Sequence, residues 1–317
     1  AAVETYRLSD AARILSVSPS RLRYWEKTAL VPARAVEGET KGFGFRDLVY
    51  VRAVVELLDR ILPNEDDEIS KLARNAFEDQ GMSFHTNAKV TNLKREGKVV
   101  KASIETEDGM QILAAERVIL AVGIVGNIED IGLELTAVEV DKSHIVVDEW
   151  MQTGEPGIYA IGDLVGPPWL AHKASHEGVI CVERIAGLDT HPLHVARIPS
   201  CTYCRPQIAS IGMSETAAAE AGRDVRVGRF PYVGNGKAIA MGEAKGMIKT
   251  VFDGQTGALL GAHMIGAEVT ELIQGYAIAM NLESTEAELM SSVFPHPTLS
   301  EMLHESVLDA YDRVIHF

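Results

Sequence analysis

The sequence near the C-terminus reads Phe294-Pro295-His296-Pro297-Thr298-Leu299-Ser300-Glu301, which places an imidazole and a carboxylate five residues apart. Pro297 fixes its own backbone and biases His296 toward an extended conformation. Thr298 or Ser300 is suited to cap a helix that runs from Glu301 through Leu308. This geometry can bring the Glu301 carboxylate to one ring nitrogen of His296, which fixes the tautomer and raises the basicity of the other nitrogen. On spacing alone, a solvated histidine and a glutamate at a helix terminus are the alternative interpretation.

Residues on both sides of this octapeptide extend the pattern. Met280-Asn281-Leu282-Glu283 precede it, and Glu305-Ser306-Val307-Leu308-Asp309-Ala310-Tyr311 follow it. The whole stretch resembles the catalytic histidine–glutamate motif of dihydrolipoyl dehydrogenases, and the likeness covers roughly the last four fifths of the chain. The resemblance implies that His296 takes a proton from a dihydrolipoyl thiol while Glu301 orients it. It also implies FAD and NAD as cofactors, and a homodimer in which each subunit presents its histidine to the other.

The charge of the chain is distributed unevenly. Its 317 residues carry a net charge of −15, yet residues 1–60 hold ten Lys and Arg against eight Asp and Glu. The acidic remainder repels nucleic acid and anionic membranes, so any contact with DNA must come from the first sixty residues. No run of 18 apolar residues and no signal-peptide pattern occurs, so we expect a cytoplasmic protein without a membrane segment.

The three cysteines, Cys181, Cys201 and Cys204, do not form a disulfide framework. The Cys201-Thr202-Tyr203-Cys204 pair is compatible with a redox or zinc site, but zinc needs about four ligands and no second pair supplies the rest. A structural role at the start of the last domain is the favoured interpretation, and no metal site is expected.

The first sixty residues are predicted to form a small helical domain. Ser9 or Asp10 can cap one helix, and Ser18-Pro19 can start a second over Ser20 to Lys27, the spacing of a helix-turn-helix. The segments Arg21 to Glu26 and Phe43 to Leu48 resemble the MerR-type DNA-binding domain, with a wing around Arg34 to Phe45. The resemblance implies that the domain contacts duplex DNA through four basic residues, Arg21, Arg23, Lys27 and Arg46. Ser16 in the turn and Glu37 and Glu39 in the wing depart from the pattern, and a basic helical domain without DNA affinity is the alternative.

Two unrelated sequence patterns meet at residues 54–59. The spacing of apolar residues from Leu48 to Ile61 predicts a helix, whereas Val54 to Pro63 also resembles a strand and its exit in the NAD domain of the dehydrogenases. In that family the acid at the position of Glu56 bonds the NAD ribose. We interpret this segment as the junction of two parent sequences and expect a helix. The predicted domains are residues 1–60, 61–127, 128–195 and 196–317.

The resemblance implies that residues 61–127 form the C-terminal half of an NAD-binding-like, Rossmann-like domain. We expect an amphipathic helix over Ile69 to Gln80 that stops at Gly81. Three strands over Ser83 to Val90, Lys98 to Thr106 and Met110 to Leu113 should follow, with a turn at Asp108-Gly109. A buried strand is predicted over Arg117 to Gly123, and Gly123 inherits a cofactor-binding role from the resemblance.

Residues 128–195 contain the stretch that resembles the second FAD contact of the flavoprotein disulfide reductases. Gly157 to Asp163 is predicted as a strand that ends in a carboxylate. The resemblance implies that Asp163 holds the ribitol of the flavin and that the backbone of Ala171 and His172 lies against its ring. Seen alone, Gly162-Asp163 is an ordinary turn.

Residues 196–317 alternate strands with later helices, which predicts an α+β layer and gives the chain as a whole a mixed α/β and α+β class. The resemblance implies that this layer is the dimerisation (interface) domain. The expected strands are Ile208 to Met213, Val225 to Pro231, Lys237 to Met241, Met247 to Phe252 and Ala258 to Met264. The expected helices are Glu268 to Met280 and Glu286 to Met290.

Two elements of a complete flavoprotein disulfide reductase are not found in these 317 residues. There is neither a GxGxxG dinucleotide-binding sequence nor a pair of cysteines separated by four residues. The first hypothesis is therefore a dehydrogenase-like portion that supplies the proton-transfer dyad without the redox centre. The second is a MerR-like DNA-binding protein that a dehydrogenase-derived domain dimerises. The third is a stitched fusion without joint function, because no linker separates the two patterns.

Overall fold

The computed structural model describes residues 5–6, 34–35, 41–44, 59–121 and 123–316. Two compact units contain the described residues. The first comprises His85–Thr190 with the short N-terminal strands, and the second comprises Arg60–Phe84 and His191–Phe317.

The described N-terminal residues form a small antiparallel sheet. Its strands are β1 (Thr5–Tyr6), β2 (Arg34–Ala35) and β3 (Lys41–Gly44), in the order β1-β3-β2. The β2–β3 pair lies in the segment that the sequence assigns to a wing. The predicted helices, the basic residues Arg21, Arg23, Lys27 and Arg46, and the junction at 54–58 with Glu56 lie outside the described residues.

A three-stranded antiparallel meander begins the rest of the first unit. It consists of β4 (Lys89–Glu96), β5 (Val99–Thr106) and β6 (Gly109–Ala115). The prediction of a strand over Ser83 to Val90 was wrong, because the first strand begins only at Lys89. Gly97, with φ +62°, closes a tight β4–β5 hairpin. Because this turn pairs Glu96 with Val99, the strand that precedes it lies at Lys89–Glu96, later in the chain than predicted.

The predicted buried strand over Arg117 to Gly123 is also wrong for its described residues. Residues 117–121 have no strand pairing, and Leu120 is exposed. A parallel strand of this apolar kind needs neighbours on both sides and helices on both faces. All strand pairs within the described ranges are antiparallel, so this segment has no sheet to join.

The remainder of the first unit carries one long helix. The strands β7 (Val140–Asp141) and β8 (His144–Ile145) form a hairpin, and a 3-10 helix, Gly162–Val165, leads toward α2 (Ala171–Ile185). The predicted strand over Gly157 to Asp163 is reduced to one bridge between Tyr159 and Gln152. Asp163 therefore lies in the first turn of the 3-10 helix and not at the end of a strand.

The second unit is built on a five-stranded antiparallel sheet of order β11-β12-β13-β10-β9. The strands are β9 (Ser200–Thr202), β10 (Gln207–Gly212), β11 (Val225–Pro231), β12 (Met247–Asp253) and β13 (Leu259–Gly266). Four of the five predicted strands are confirmed, and β9 adds one that the sequence did not suggest. The fifth prediction, Lys237 to Met241, was wrong. The Asn235 side chain caps the Ala238 N–H at 2.9 Å and so starts a short helix.

Six helices pack around this sheet. In the second unit they are α1 (Asp67–Asp79), α3 (Glu215–Glu220), α4 (Gly236–Met241), α5 (Val269–Asn281), α6 (Glu286–Ser291) and α7 (Glu301–Asp309). The helix predictions near Ile69, Glu268, Glu286 and Glu301 are confirmed to within about two residues. The main core lies between one sheet face and helices α5 and α7, and its largest members are Phe230, Tyr232, Ile248, Phe252, Met264, Ile273, Tyr276 and Met302.

The opposite face of the sheet carries a row of polar side chains. The strand register places Ser210 opposite His263, His263 opposite Lys249, and Lys249 opposite Arg229. Lys249 is 2% exposed and donates to both carboxylate oxygens of Asp66, at 2.9 and 3.0 Å, just before α1. This buried ion pair anchors α1 to the sheet face away from the core.

Helix α7 lies unusually close to strand β11 because residue 228 is glycine. A Cβ at Gly228 would collide with the backbone oxygen of Ser306 and lie 2.8 Å from the backbone nitrogen of Ala310. The Arg229 N–H donates to Asp309 at 2.7 Å, and Tyr276 donates to the Leu303 carbonyl at 2.8 Å. These contacts fix the helix whose first residue is Glu301.

Candidate active site

The segment that precedes α7 is held by a chain of short hydrogen bonds. Asn235 Nδ2 donates to the Thr298 carbonyl at 3.0 Å, and Thr298 Oγ1 donates to the Pro295 carbonyl at 2.6 Å. Thr298 N donates to Glu301 Oε2 at 2.8 Å. Ser300 occupies the N-cap position, but its hydroxyl makes no capping bond. The Glu301 side chain itself therefore satisfies a backbone donor ahead of the helix, and this bond orients the carboxylate.

The same carboxylate contacts His296 with its other oxygen. His296 Nδ1 donates to Glu301 Oε1 at 2.9 Å, with the proton assigned to Nδ1 because an ionised carboxylate only accepts. The His296 side chain is 80% exposed, whereas that of Glu301 is 23% exposed. The structure thus brings together the two residues that the sequence pairs, and Nε2 carries the lone pair of the ring.

Glu301 is held in its ionised form. Burial opposes ionisation, but the hydrogen bond from Thr298 N, the hydrogen bond and charge of His296 and the charge of His316 together keep the pKa of Glu301 below its ordinary value. A carboxylate at this position stabilises a positive charge on His296 when the ring takes up a proton.

A small cavity of about 60 Å³ lies beside the dyad. Its walls come from β11, α4, α7 and the C-terminal residues, namely Phe230, Gly234, Asn235, Gly236, Lys237, His296, Glu301, Glu305 and His316. A second imidazole–carboxylate pair stands in this wall, where His316 Nδ1 donates to Glu305 Oε1 at 2.6 Å.

Sequence reasoning missed three residues of this site. Asn235 supports the Thr298 carbonyl, and Glu305 and His316 form the second pair. Glu305 is four residues after Glu301 on one helix, a spacing that places two side chains on the same face. That spacing is visible in the sequence, whereas the return of His316 to this face depends on the fold.

The residues assigned to the flavin lie in the first unit. The Gly162 N–H donates to the buried carboxylate of Glu177 at 2.7 Å, and Glu177 pairs with the buried Lys173 at 2.7 Å. Asp163 is exposed one residue further on, and α2 begins at Ala171 without a side-chain cap. The N-terminus of a helix carries a partial positive charge that favours an electron-rich ligand atom.

These residues fit a contact to the ribitol and ring end of a flavin. They do not fit the whole cofactor, since the pyrophosphate is held in this class of fold by a glycine-rich turn that these 317 residues do not contain. Gly123, the residue assigned to the nicotinamide cofactor, is exposed with φ +69°, and no heavy atom lies within 4 Å of an added Cβ. The assignments of Asp163, Ala171, His172 and Gly123 therefore stay predictions.

The cysteines of the second unit are poor nucleophiles in this structure. Burial raises the pKa of both the Cys201 and Cys204 thiols, and the Cys204 thiol donates to the Pro206 carbonyl at 2.9 Å. The described part of the chain contains no group of three potential metal ligands. None of its helices is long and apolar enough to cross a membrane.

Three family profiles match the chain. Residues 42–178 match the pyridine nucleotide-disulphide oxidoreductase family, and residues 198–307 match the dimerisation domain of the same family. Residues 6–75 match the MerR helix-turn-helix family of regulatory proteins. The first and third matches overlap around the junction that the sequence places at residues 54–59.

Similar proteins agree with these matches. The chain is 56% identical to the dihydrolipoyl dehydrogenase of Rhizobium etli over 264 residues, and this aligned stretch covers 83% of this chain and 55% of the relative. It is 50% identical over 269 residues to that of Zymomonas mobilis, which covers 84% and 57%. The chain thus spans little more than half the length of these relatives.

A solved structure gives the same result for the fold. The crystal structure of LpdA from Mycobacterium tuberculosis matches with a TM-score of 0.73 and 25% identity, over 79% of this chain and 54% of that one. The chain therefore belongs to the pyridine nucleotide-disulphide oxidoreductase family: a MerR-type helix-turn-helix sequence at its N-terminus is followed by a counterpart of the C-terminal portion of dihydrolipoyl dehydrogenases.

Proposed function

We propose that the chain supplies the proton-transfer dyad of a dihydrolipoyl dehydrogenase-type reaction. The observation that supports this most directly is the 2.9 Å hydrogen bond between His296 Nδ1 and Glu301 on an otherwise exposed imidazole. Nε2 of His296 is then the base. It takes the proton from a thiol of a dihydrolipoyl group, and the thiolate is the stronger nucleophile that remains.

Glu301 has two tasks in this step. It fixes the Nδ1–H tautomer of His296, and its negative charge stabilises the imidazolium that forms when Nε2 is protonated. The bond from Thr298 N keeps the carboxylate in place. The pKa of Glu301 lies below its ordinary value because the hydrogen bond from Thr298 N and the hydrogen bond and charge of His296 outweigh the effect of burial, so the carboxylate is ionised at neutral pH.

The oxidation that follows needs groups outside these residues. A flavin, which Asp163 and the backbone of Ala171 and His172 would hold at one end, would supply the two-electron acceptor for the dihydrolipoyl dithiol, and Gly123 would lie near a nicotinamide cofactor. The residues described in the first unit fit only one end of the flavin. We therefore propose that this chain acts together with a complete subunit, in a dimer formed through the domain at residues 198–307.

The purified chain by itself is expected to contain less than about one tenth of an equivalent of flavin. The glycine-rich turn and helix start that bind the pyrophosphate carry much of the cofactor affinity, and these 317 residues contain no such glycine-rich turn. An absorbance spectrum between 350 and 500 nm checks this, with the Rhizobium etli relative as the positive control. A stoichiometric flavin band would contradict the expectation and would show that the chain binds the cofactor without the glycine-rich turn.

The proposed dyad is tested in a mixed dimer. A full-length relative whose own dyad histidine has been changed to glutamine keeps its redox groups but cannot accept the proton. Addition of this chain should restore oxidation of dihydrolipoamide, since one rebuilt site per mixed dimer combines His296 with the redox groups of the full-length subunit. Mixed dimers, demonstrated by mass in solution, that stay inactive would refute the proposal.

A second candidate function is binding of duplex DNA. The match of residues 6–75 to the MerR family favours it, together with the excess of basic residues in residues 1–60. A dimer would place two recognition helices on adjacent half-sites of a pseudo-palindromic sequence. Arg21, Arg23, Lys27 and Arg46 are the proposed contacts.

Exchange of both Arg21 and Arg23 for alanine is expected to lower the affinity for a pool of duplexes at least tenfold and to reduce the salt dependence of binding. A filter-binding titration at several salt concentrations measures both. Exchange of the exposed Lys94 and Lys101, which belong to another part of the chain, is the matched control. Failure of the unaltered chain to bind any duplex at low salt would remove this candidate.

A further inference from the structure

A second imidazole–carboxylate pair stands beside the proposed dyad. His316 Nδ1 donates to Glu305 Oε1 at 2.6 Å, and both residues line the 60 Å³ cavity that His296 and Glu301 also line. The two glutamates are one turn apart on α7, so the helix presents both carboxylates to the same cavity.

The second pair is well anchored. The Glu305 side chain is 5% exposed, and its second oxygen accepts the Ile315 N–H at 3.0 Å. One buried carboxylate thus holds both the backbone and the side chain of the segment that follows α7. A buried carboxylate without partners is costly, so these two bonds explain why the chain turns back at residues 315–316.

We propose that His316 acts on the reaction through the dyad. Glu305 holds the His316 ring at the cavity, and the charge of His316 influences the pH at which His296 accepts a proton. The inference rests on the proposed function for its role in catalysis, but the electrostatic coupling of the two imidazoles can be measured without turnover.

The physical basis is the repulsion of like charges in one small space. The charged or titratable groups that line the cavity are His296, Glu301, Glu305, His316 and Lys237. Two imidazolium rings that line one small cavity would repel each other. The side chains of His296 and His316 are 80% and 63% exposed, so solvent screens this repulsion and keeps it small. The charge of His316 also helps to keep the pKa of Glu301 low. A positive charge on His316 therefore disfavours a second positive charge on the His296 ring.

The test follows the titration of His296 by NMR in the full chain labelled with carbon-13 at histidine Cε1. The chain has ten histidines, and the signal that disappears in His296→Gln assigns the one needed. In His316→Gln the midpoint of His296 should rise by roughly half a pH unit, the size expected for one nearby charge. In His316→Lys a permanent positive charge replaces the titrating one, and the midpoint should stay at or below that of the unaltered chain. His194→Gln, which changes a histidine outside this cavity, is the control.

The outcome is decisive in either direction. A rise in His316→Gln that His316→Lys reverses supports coupling through charge, because lysine cannot restore a purely structural role of the imidazole. Identical His296 curves in all variants would overturn the inference, whatever the mixed dimer does. If the coupling is present but His296→Gln leaves the turnover of the mixed dimer unchanged, the proposed function fails and the coupling stands.

Discussion

Exchange of His296 for glutamine is expected to lower the turnover of the mixed dimer by roughly a hundred- to ten-thousand-fold, the range that one general base contributes. Glutamine keeps a hydrogen-bonding side chain of similar size but cannot take up a proton at Nε2. The loss should appear mainly in kcat, since the exposed imidazole contributes little surface to substrate binding. Steady-state oxidation of dihydrolipoamide measures it.

Two further variants separate the base from its partner. Glu301→Gln should give a smaller loss together with a change in the pH profile, because the ring stays in place but its positive form is no longer stabilised. His194→Gln should leave turnover unchanged. Full activity of the His296→Gln mixed dimer would show that the dyad is wrongly assigned.

Exchange of Lys249 for methionine is expected to destabilise the attachment of α1 by about 3–5 kcal/mol, the range for removing one partner of a buried ion pair. Lys249 donates to Asp66 and also contacts Glu68 at 2.5 Å and Glu215 at 2.8 Å. Methionine fills a similar volume but leaves the buried Asp66 carboxylate without its cation, whereas Glu68 and Glu215 keep their ion pairs with Arg229. Hydrogen exchange of the α1 amides measures the effect, and protection should fall roughly a hundredfold or more.

The pH dependence of this effect has a definite sign. Burial opposes ionisation of Asp66, yet the hydrogen bonds and charge of Lys249 keep the pKa of Asp66 below its ordinary value of 3.8. A carboxyl group with a lowered pKa contributes stability at neutral pH, and this contribution disappears as the pH falls through the folded-state pKa. The difference between Lys249→Met and the unaltered chain should therefore shrink as the pH falls below 3.8.

A surface lysine supplies the control for this prediction. Lys245 also pairs with an acid of α1, Asp79 at 3.0 Å, but it is 85% exposed. Lys245→Met should change the free energy of opening of α1, measured by amide hydrogen exchange, by no more than about 0.5 kcal/mol, because exposed ion pairs contribute little. Asp66→Asn combined with Lys249→Met should recover part of the loss, since asparagine can still cap Glu68 N without a buried charge. Equal effects at Lys245 and Lys249 would show that burial does not govern this contact.

The sequence was a reliable guide where a local pattern decides the structure. The helix that follows the octapeptide begins at Glu301, and the hairpins of the second unit lie close to their predicted positions. It failed where the outcome depends on distant partners. Lys237 to Met241 alternates as a strand would, but the cap at Asn235 makes it a helix. Arg117 to Ala121 is apolar as a buried parallel strand would be, but no neighbouring strand is present for it in the described residues.

The sequence by itself determined the membership of the family, the pairing of His296 with Glu301 and the short-range turns, because each depends on residue types at fixed and close spacing. Only the tertiary structure decided that α1 is held on the polar face of the sheet through Lys249, 183 residues from Asp66. It also decided that Gly228 lets α7 approach β11 and that His316 returns to the cavity of the dyad. Such contacts join residues far apart in the chain, and their stability depends on burial, which no local pattern contains.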